Sequence, residues 1–236
     1  MPHFLIKSSD IIDNKLELHN ESILKHLFVM RKSAGETVKF IDESRLVSLV
    51  KIEKIAKKEL IGTVINSYYS TRFLSKKIKL IQCVLRDAQM SAVSNAVQIG
   101  VSEIQPVLSD FTSVKKSALS LEKMEKAAYE AFKQCERADL AVILPVQTLS
   151  EAISNSKNII VLGERNCNST IKEFVQKYKN EEEITVVIGP EGGFSDNEFE
   201  FFDKLKLPIV SIGNTILKAE NAIISGIGII SYEFDR

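Results

Sequence analysis

Cysteine is scarce in this chain, and what there is stands scattered. Cys83, Cys135 and Cys167 are the only three among 236 residues, and none sits in a Cys-x-x-Cys or Cys/His cluster. That excludes a disulfide framework and gives no sign of a metal site, so the three read as buried or bystander thiols and no metal is expected. Long hydrophobic runs are missing too. The first apolar stretch is broken by Lys7, Asp10 and Asp13, and nothing approaches the roughly 20 apolar residues of a membrane span. With no export segment to be read and no membrane partner expected, a cytoplasmic protein is the expectation. Internal repeats and low-complexity tracts are also lacking, and the acidic run Glu181-Glu182-Glu183 reads as a solvated loop.

Net charge is absent as well, since 31 Lys+Arg balance 31 Asp+Glu. The balance conceals a division: the first 80 residues hold 15 basic against 9 acidic side chains, the remainder 16 against 22. A basic portion of this kind suits contact with nucleic acid phosphates while the other portion does chemistry. Ordinary surface variation accounts for it equally well.

What is present is a change of texture. Hydrophobic residues make up 44% of the chain, enough for well-filled cores. From Thr37 to Ile65 short runs alternate apolar and polar residues between turn residues, a pattern suited to a small β-barrel. Before them Ile23, Leu24, Leu27 and Met30 fall at helical spacing, which predicts a short helix packed on that barrel. Asn66 to Lys77, rich in Ser, Tyr and Lys, reads as the linker. Beyond it, apolar strands alternate with amphipathic helices. Strands are expected at 78–85, 102–107, 140–143, 158–162, 185–188 and 209–212. Helices are expected at 89–99, 120–136, 169–178, 196–206 and 219–232. This order argues for an α/β domain with a mostly parallel sheet covered on both faces.

Two stretches carry chemistry. In Val186-Val187-Ile188-Gly189-Pro190-Glu191-Gly192-Gly193-Phe194-Ser195-Asp196-Asn197-Glu198 a buried strand runs into a glycine-rich turn, and Ser195 or Asp196 then caps a helix with Glu198 in its first turn. Such a turn lies where open α/β sheets bind ligands. It is not a P-loop, because the Gly-Lys-Ser/Thr ending is missing. One strand later, Ile209-Val210-Ser211-Ile212-Gly213 ends again in glycine. The following Asn214-Thr215-Ile216-Leu217-Lys218-Ala219-Glu220-Asn221-Ala222 offers an apolar wall beside Lys218 and Glu220. Read alone, Ile216 and Leu217 are equally a piece of core and Lys218 a surface cation.

Together the two stretches resemble the SPOUT class of RNA methyltransferases, and within it the ribosomal RNA small subunit methyltransferase E family. Gly189 to Ser195 with Glu198 matches that family's GPEGGFS and glutamate, and Ile212-Gly213 with Ile216 to Ala222 corresponds to its leucine-glycine pair and ILR-[TA]-ETA. Weaker echoes are His26-Leu27-Phe28-Val29-Met30-Arg31 with Gly35, Gln98 to Pro106, and Glu130 to Arg137.

The resemblance implies a PUA-like barrel over residues 1–72 and a SPOUT α/β domain with a deep trefoil knot over 73–236, working as a homodimer. It implies S-adenosylmethionine as cofactor and methylation of a uridine N3 in 16S rRNA, free or in the small ribosomal subunit. Another RNA acceptor, or a lapsed RNA-binding assembly factor, is the alternative. The implied cofactor loops contain Leu162, Gly163, Gly189, Gly192, Gly193, Ile212, Gly213, Ile216 and Leu217. For catalysis Lys218 or Arg137 supplies a cation, while Glu191 and Glu220 are carboxylates that orient a neighbour or take a proton. Arg31, Lys32 and Gln134 are the expected RNA contacts, with Gln134 and Arg137 sharing one helical face. The chain departs from the family at Lys218 and Asn221, where arginine and threonine are usual, and at Asn95 and Gln98, where lysine and glutamate are.

Overall fold

The computed structural model describes residues 3–234, so the outer ends of the two expected domains, 1–2 and 235–236, lie outside it. The chain forms two compact units: one takes residues through Phe73 together with Lys133–Asp139, the other takes Leu74–Phe132 and the chain from Leu140 onward. The sequence expectation was a single cut after residue 72. The structure places that cut one residue later and returns a second, short segment to the first unit.

The first unit is built from β1 (His3–Leu5), β2 (Ile11–Ile12), β3 (Lys15–Leu18), α1 (Glu21–Val29), β4 (Thr37–Ile41), β5 (Leu46–Ala56) and β6 (Glu59–Tyr69). Asn20 starts α1 by accepting the amides of Ser22 and Ile23 on its side chain. The apolar face of α1, Ile23, Leu24 and Leu27, packs on Phe4, Leu16, Phe40 and Val50 of the strands. The strand order is β1-β4-β5-β6-β3-β2, with β1 parallel to β4 and the other pairs antiparallel. This corrects the expected barrel: the sheet is an open path ending at β1 and β2. Edge strands of three and two residues blunt the exposed ladder without closing it. The expected linker is also shorter, because β6 continues to Tyr69, paired with Leu46; Tyr68 and Tyr69 favour extended backbone. In the returned segment Glu136 accepts from Lys39 at 2.9 Å and Arg72 at 3.0 Å.

The second unit contains β7 (Lys77–Cys83), α2 (Gln89–Gln98), β8 (Glu103–Leu108), α3 (Leu121–Cys135, whose last three residues belong to the first unit), β9 (Val142–Ile143), β10 (Gln147–Thr148), α4 (Leu149–Ser154), β11 (Ile159–Leu162), α5 (Ile171–Lys177), β12 (Glu183–Ile188), α6 (Asp196–Lys204), β13 (Ile209–Val210) and α7 (Ala219–Phe234). Its sheet runs β10-β8-β7-β12-β11-β13, with β9 also on β8, and every pair is parallel. Strands covered on both faces are largely apolar, as Ile159 to Leu162 and Val186 to Ile188 are here. One face packs Ile81, Val107, Val161 and Val187 on α4 and α6 through Ala152, Phe199 and Phe202. On α7, a Cβ added at Gly226 would stand 2.2 Å from Leu162 Cδ1, so glycine there lets the helix approach the strand end without displacing the Leu162 side chain. Among the described residues no helix is long and apolar enough to cross a membrane.

Candidate active site

Three parallel strands of the second unit end beside one another, and each exit is marked by glycine: Gly163 after β11, Gly189 after β12 and Gly213 beyond β13. Over these exits lie two adjoining cavities, one of about 430 Å³ and one of about 110 Å³. They share Leu162, Glu164, Ile216, Leu217 and Ala222, so they form one cleft at the carboxyl edge of the sheet, where ligands bind in open α/β folds.

The turn after β12 is held rigidly. Phe194 is 1% exposed and packs edge-on against Phe199 and Phe202, with ring centroids 5.9 and 5.0 Å away. Gly189 faces that ring, Phe194 atoms lying 3.2 Å from where its Cβ would stand. Gly193 adopts φ +72°, a conformation that disfavours any side chain. The Arg86 amide donates to Glu191 Oε1 at 2.8 Å, tying the turn to the exit of β7. Ser195 and Glu198 form a capping box at the start of α6, and Glu198 also accepts the Asp110 amide at 3.0 Å. Arg165 donates to the Phe194 carbonyl at 2.9 Å and pairs with Asp196 at 3.1 Å.

The loop after β13 is held lightly. The Ser211 hydroxyl donates to the Gly213 carbonyl at 2.7 Å, and the Lys218 carbonyl opens α7 by accepting the amides of Asn221 and Ala222, each at 2.9 Å. Between these points Ile216 is 83% exposed.

The expected cofactor residues come together. Leu162, Gly163, Gly189, Gly193, Ile212, Gly213, Ile216 and Leu217 line the cleft, with Lys218, Glu191 and Glu220 in the larger cavity. Gly192 stands in the same turn but faces Phe111, whose Cβ is 3.1 Å from the position of an added Cβ. Arg137 and Gln134 do not line the cleft. Their expected shared helical face does not exist, because α3 stops at Cys135 and Glu136 turns to φ +56°. Gln134 is exposed, while Arg137 is buried and paired with Asp139 at 3.0 Å. Arg31 is exposed; Lys32 is engaged by Glu36 at 2.8 Å. Gln98 holds its own helix, donating to the Ser94 carbonyl and hydroxyl at 3.3 and 3.1 Å. Burial pushes the Cys83 thiol up to about 12, which removes it as a nucleophile. Among the described residues no group of three or more His, Cys, Asp and Glu could hold a metal ion.

Sequence reasoning missed Glu164, which lines both cavities. Its signal was there: a charged residue directly after the strand-ending Leu162-Gly163. Asp87 and Ala88, at the start of α2, were missed as well and line the larger cavity.

Residues 73–231 match a family model described as an RNA methyltransferase domain. Among curated relatives, Ribosomal RNA small subunit methyltransferase E of Rickettsia conorii is 24% identical over 223 residues, 91% of this chain and 88% of that one. The protein of the same name from Aquifex aeolicus is 29% identical over 214 residues, 89% and 91% of the two chains. A crystal structure of a Ribosomal RNA small subunit methyltransferase E from Neisseria gonorrhoeae bound to S-adenosyl methionine superposes with a TM-score of 0.87, covering 98% of this chain and 97% of the other at 20% identity. At that identity the fold is what the two share. With its family model spanning the parallel-sheet unit and the cleft built on three strand exits, the chain belongs to the RNA methyltransferase domain family.

Proposed function

We propose that this chain is an S-adenosylmethionine-dependent methyltransferase acting on N3 of a uridine in 16S rRNA. The observation that carries the reading is the meeting of the Gly189 to Gly193 turn and the Gly213 to Leu217 loop over one cleft. The cleft suits the cofactor in its chemistry. Val210, Ile212, Leu217 and Ala222 wall the smaller cavity for a flat aromatic ring, and glycine exits leave backbone amides open to approach. Carboxylates of Glu191 and Glu220 favour a cationic ligand in the larger one. The cofactor supplies an already activated methyl group.

The chain's own task is to hold and orient the two reactants and to exclude water. Uracil N3 carries a proton at neutral pH, so its attack needs a base or a cation that stabilises the imide anion. Lys218, exposed in the larger cavity, is the cation of this reading, and Glu220 is the carboxylate beside it. Glu191 orients the turn, since one of its oxygens already accepts the Arg86 amide. Arg137 keeps a structural role beside Asp139. Arg31, exposed at the end of α1, and Gln134 serve the RNA. Lys32 reaches a phosphate only by leaving Glu36.

The same reading includes a trefoil knot, supported by the insertion of β12 between β7 and β11 and the return of β13 to the far edge. It includes a PUA-like relationship for the first unit, a cytoplasmic protein and a homodimer. For the dimer, support comes from Ile224, Ile229 and Tyr232 of α7, which are 44%, 40% and 61% exposed. The test is nucleoside mass spectrometry of 16S rRNA after incubating small subunits, or naked rRNA, with protein and cofactor. A new 3-methyluridine is expected. Methylation elsewhere contradicts the uridine assignment, and absence of cofactor binding contradicts the enzyme reading.

A further inference from the structure

Among the charged side chains that line the cleft in the described residues, Glu164 alone lines both cavities. Arg165 beside it is committed to the Phe194 carbonyl and Asp196, and Glu191 accepts the Arg86 amide. Glu198, the next carboxylate along the turn, is used up by the amides of Ser195 and Asp110. Among the described residues the Glu164 side chain makes no ion pair or hydrogen bond, although it sits only two residues beyond the buried strand β11. It lines both cavities and so marks their junction. Its carboxylate lies against Gly193, where an added Cβ would stand 2.9 Å from Glu164 Oε1. The side chain therefore reaches across from the β11 exit to the glycine turn after β12, and the missing Cβ at Gly193 is what leaves it room.

Resting on the cofactor reading above, we infer that Glu164 is the cofactor-binding residue that accepts the ribose hydroxyls of the adenosyl group. In an adenosyl sulfonium the ribose lies between the flat adenine and the charged sulfur. Adenine suits the small cavity walled by Val210, Ile212 and Leu217, and the reacting end belongs beside Lys218 and Glu220 in the larger one. The group at the junction then faces the sugar. A carboxylate is acceptor-only and can take two O–H donors at once, which matches a cis-diol. The sulfonium itself offers no hydrogen-bond donor.

Calorimetry with 5′-methylthioadenosine, which carries adenine and ribose but no sulfonium, separates these possibilities. Wild-type protein is expected to bind it at least about tenfold more tightly than its 2′-deoxy analogue, in line with a hydrogen bond to a charged acceptor. Glu164→Ala is expected to bind both equally and weakly, and Glu164→Gln to recover part of the difference. The ratio of affinities for S-adenosylmethionine and S-adenosylhomocysteine stays at the wild-type value in both variants. A variant that still discriminates the deoxy analogue overturns the inference. So does one that loses S-adenosylmethionine while keeping the homocysteine product, which would place the carboxylate on the sulfonium. Glu164 holds nothing else in place, and an unchanged melting curve confirms that each variant is folded. If wild-type protein binds none of these compounds, the cofactor reading fails. If it binds them and Glu164→Ala changes nothing, only the ribose contact fails.

Discussion

At the end of β12 the chain is fastened from several sides: Phe194 in the core, Glu191 on the Arg86 amide, Glu198 on Asp110, and Arg165 on the Phe194 carbonyl. At the end of β13 a loop of similar length has the Ser211 hydroxyl at one end and the first turn of α7 at the other, with Ile216 out in solvent between them. Both line the same cleft. One wall is thus set before a ligand arrives, and the other has its apolar side chains still to bury. A fixed wall lowers the ordering cost of binding, while a loosely held one lets a ligand in and then covers it.

The contrast can be broken from either side. The largest effect is expected at Phe194, where truncation to alanine empties the space between Gly189, Phe199 and Phe202. Phe194→Ala should cost about 3–5 kcal/mol in a denaturant titration, as aromatic-to-alanine changes in cores do, and the cofactor site should be lost with it. Glu198→Ala leaves the amides of Ser195 and Asp110 without their acceptor, and about 1–3 kcal/mol of destabilisation is expected. Ile216→Ala should shift stability by no more than about 0.5 kcal/mol, as exposed positions do. Its cofactor affinity should nonetheless fall about tenfold, as expected if about two of the three carbons removed are buried on binding at roughly 0.8 kcal/mol each. Were Ile216→Ala to unfold the protein, or Phe194→Ala to leave stability alone, the two loops would not differ as described.

Much of this was readable beforehand. Parallel strands buried on both faces write their sequence as apolar runs, so Ile159 to Leu162 of β11 and Val186 to Ile188 of β12 stood out, and the Ser195/Glu198 pair announced the start of α6. The same capping pattern at Thr148 and Glu151 would have located α4, which went unread because only six residues follow it. The barrel expectation failed for a different reason. Alternation reports that one face of a strand is buried, and it says nothing about whether the outer strands meet; here β1 and β2 do not. Arg137 was misplaced because helical spacing was carried past Cys135, where a left-handed residue ends the helix. Glu164 was passed over because its local trace, a charge just after Leu162-Gly163, gains its meaning only from β11 lying next to β12 and β13.

Hydrogen exchange of the intact protein with and without saturating S-adenosylmethionine bears most directly on the claim that the two strand exits hold one ligand between them. Strong protection of amides 213–218 is expected on adding the cofactor, with a smaller gain at 189–194, where slow exchange is expected before the cofactor is added. Protection confined to one segment, or to neither, would contradict it.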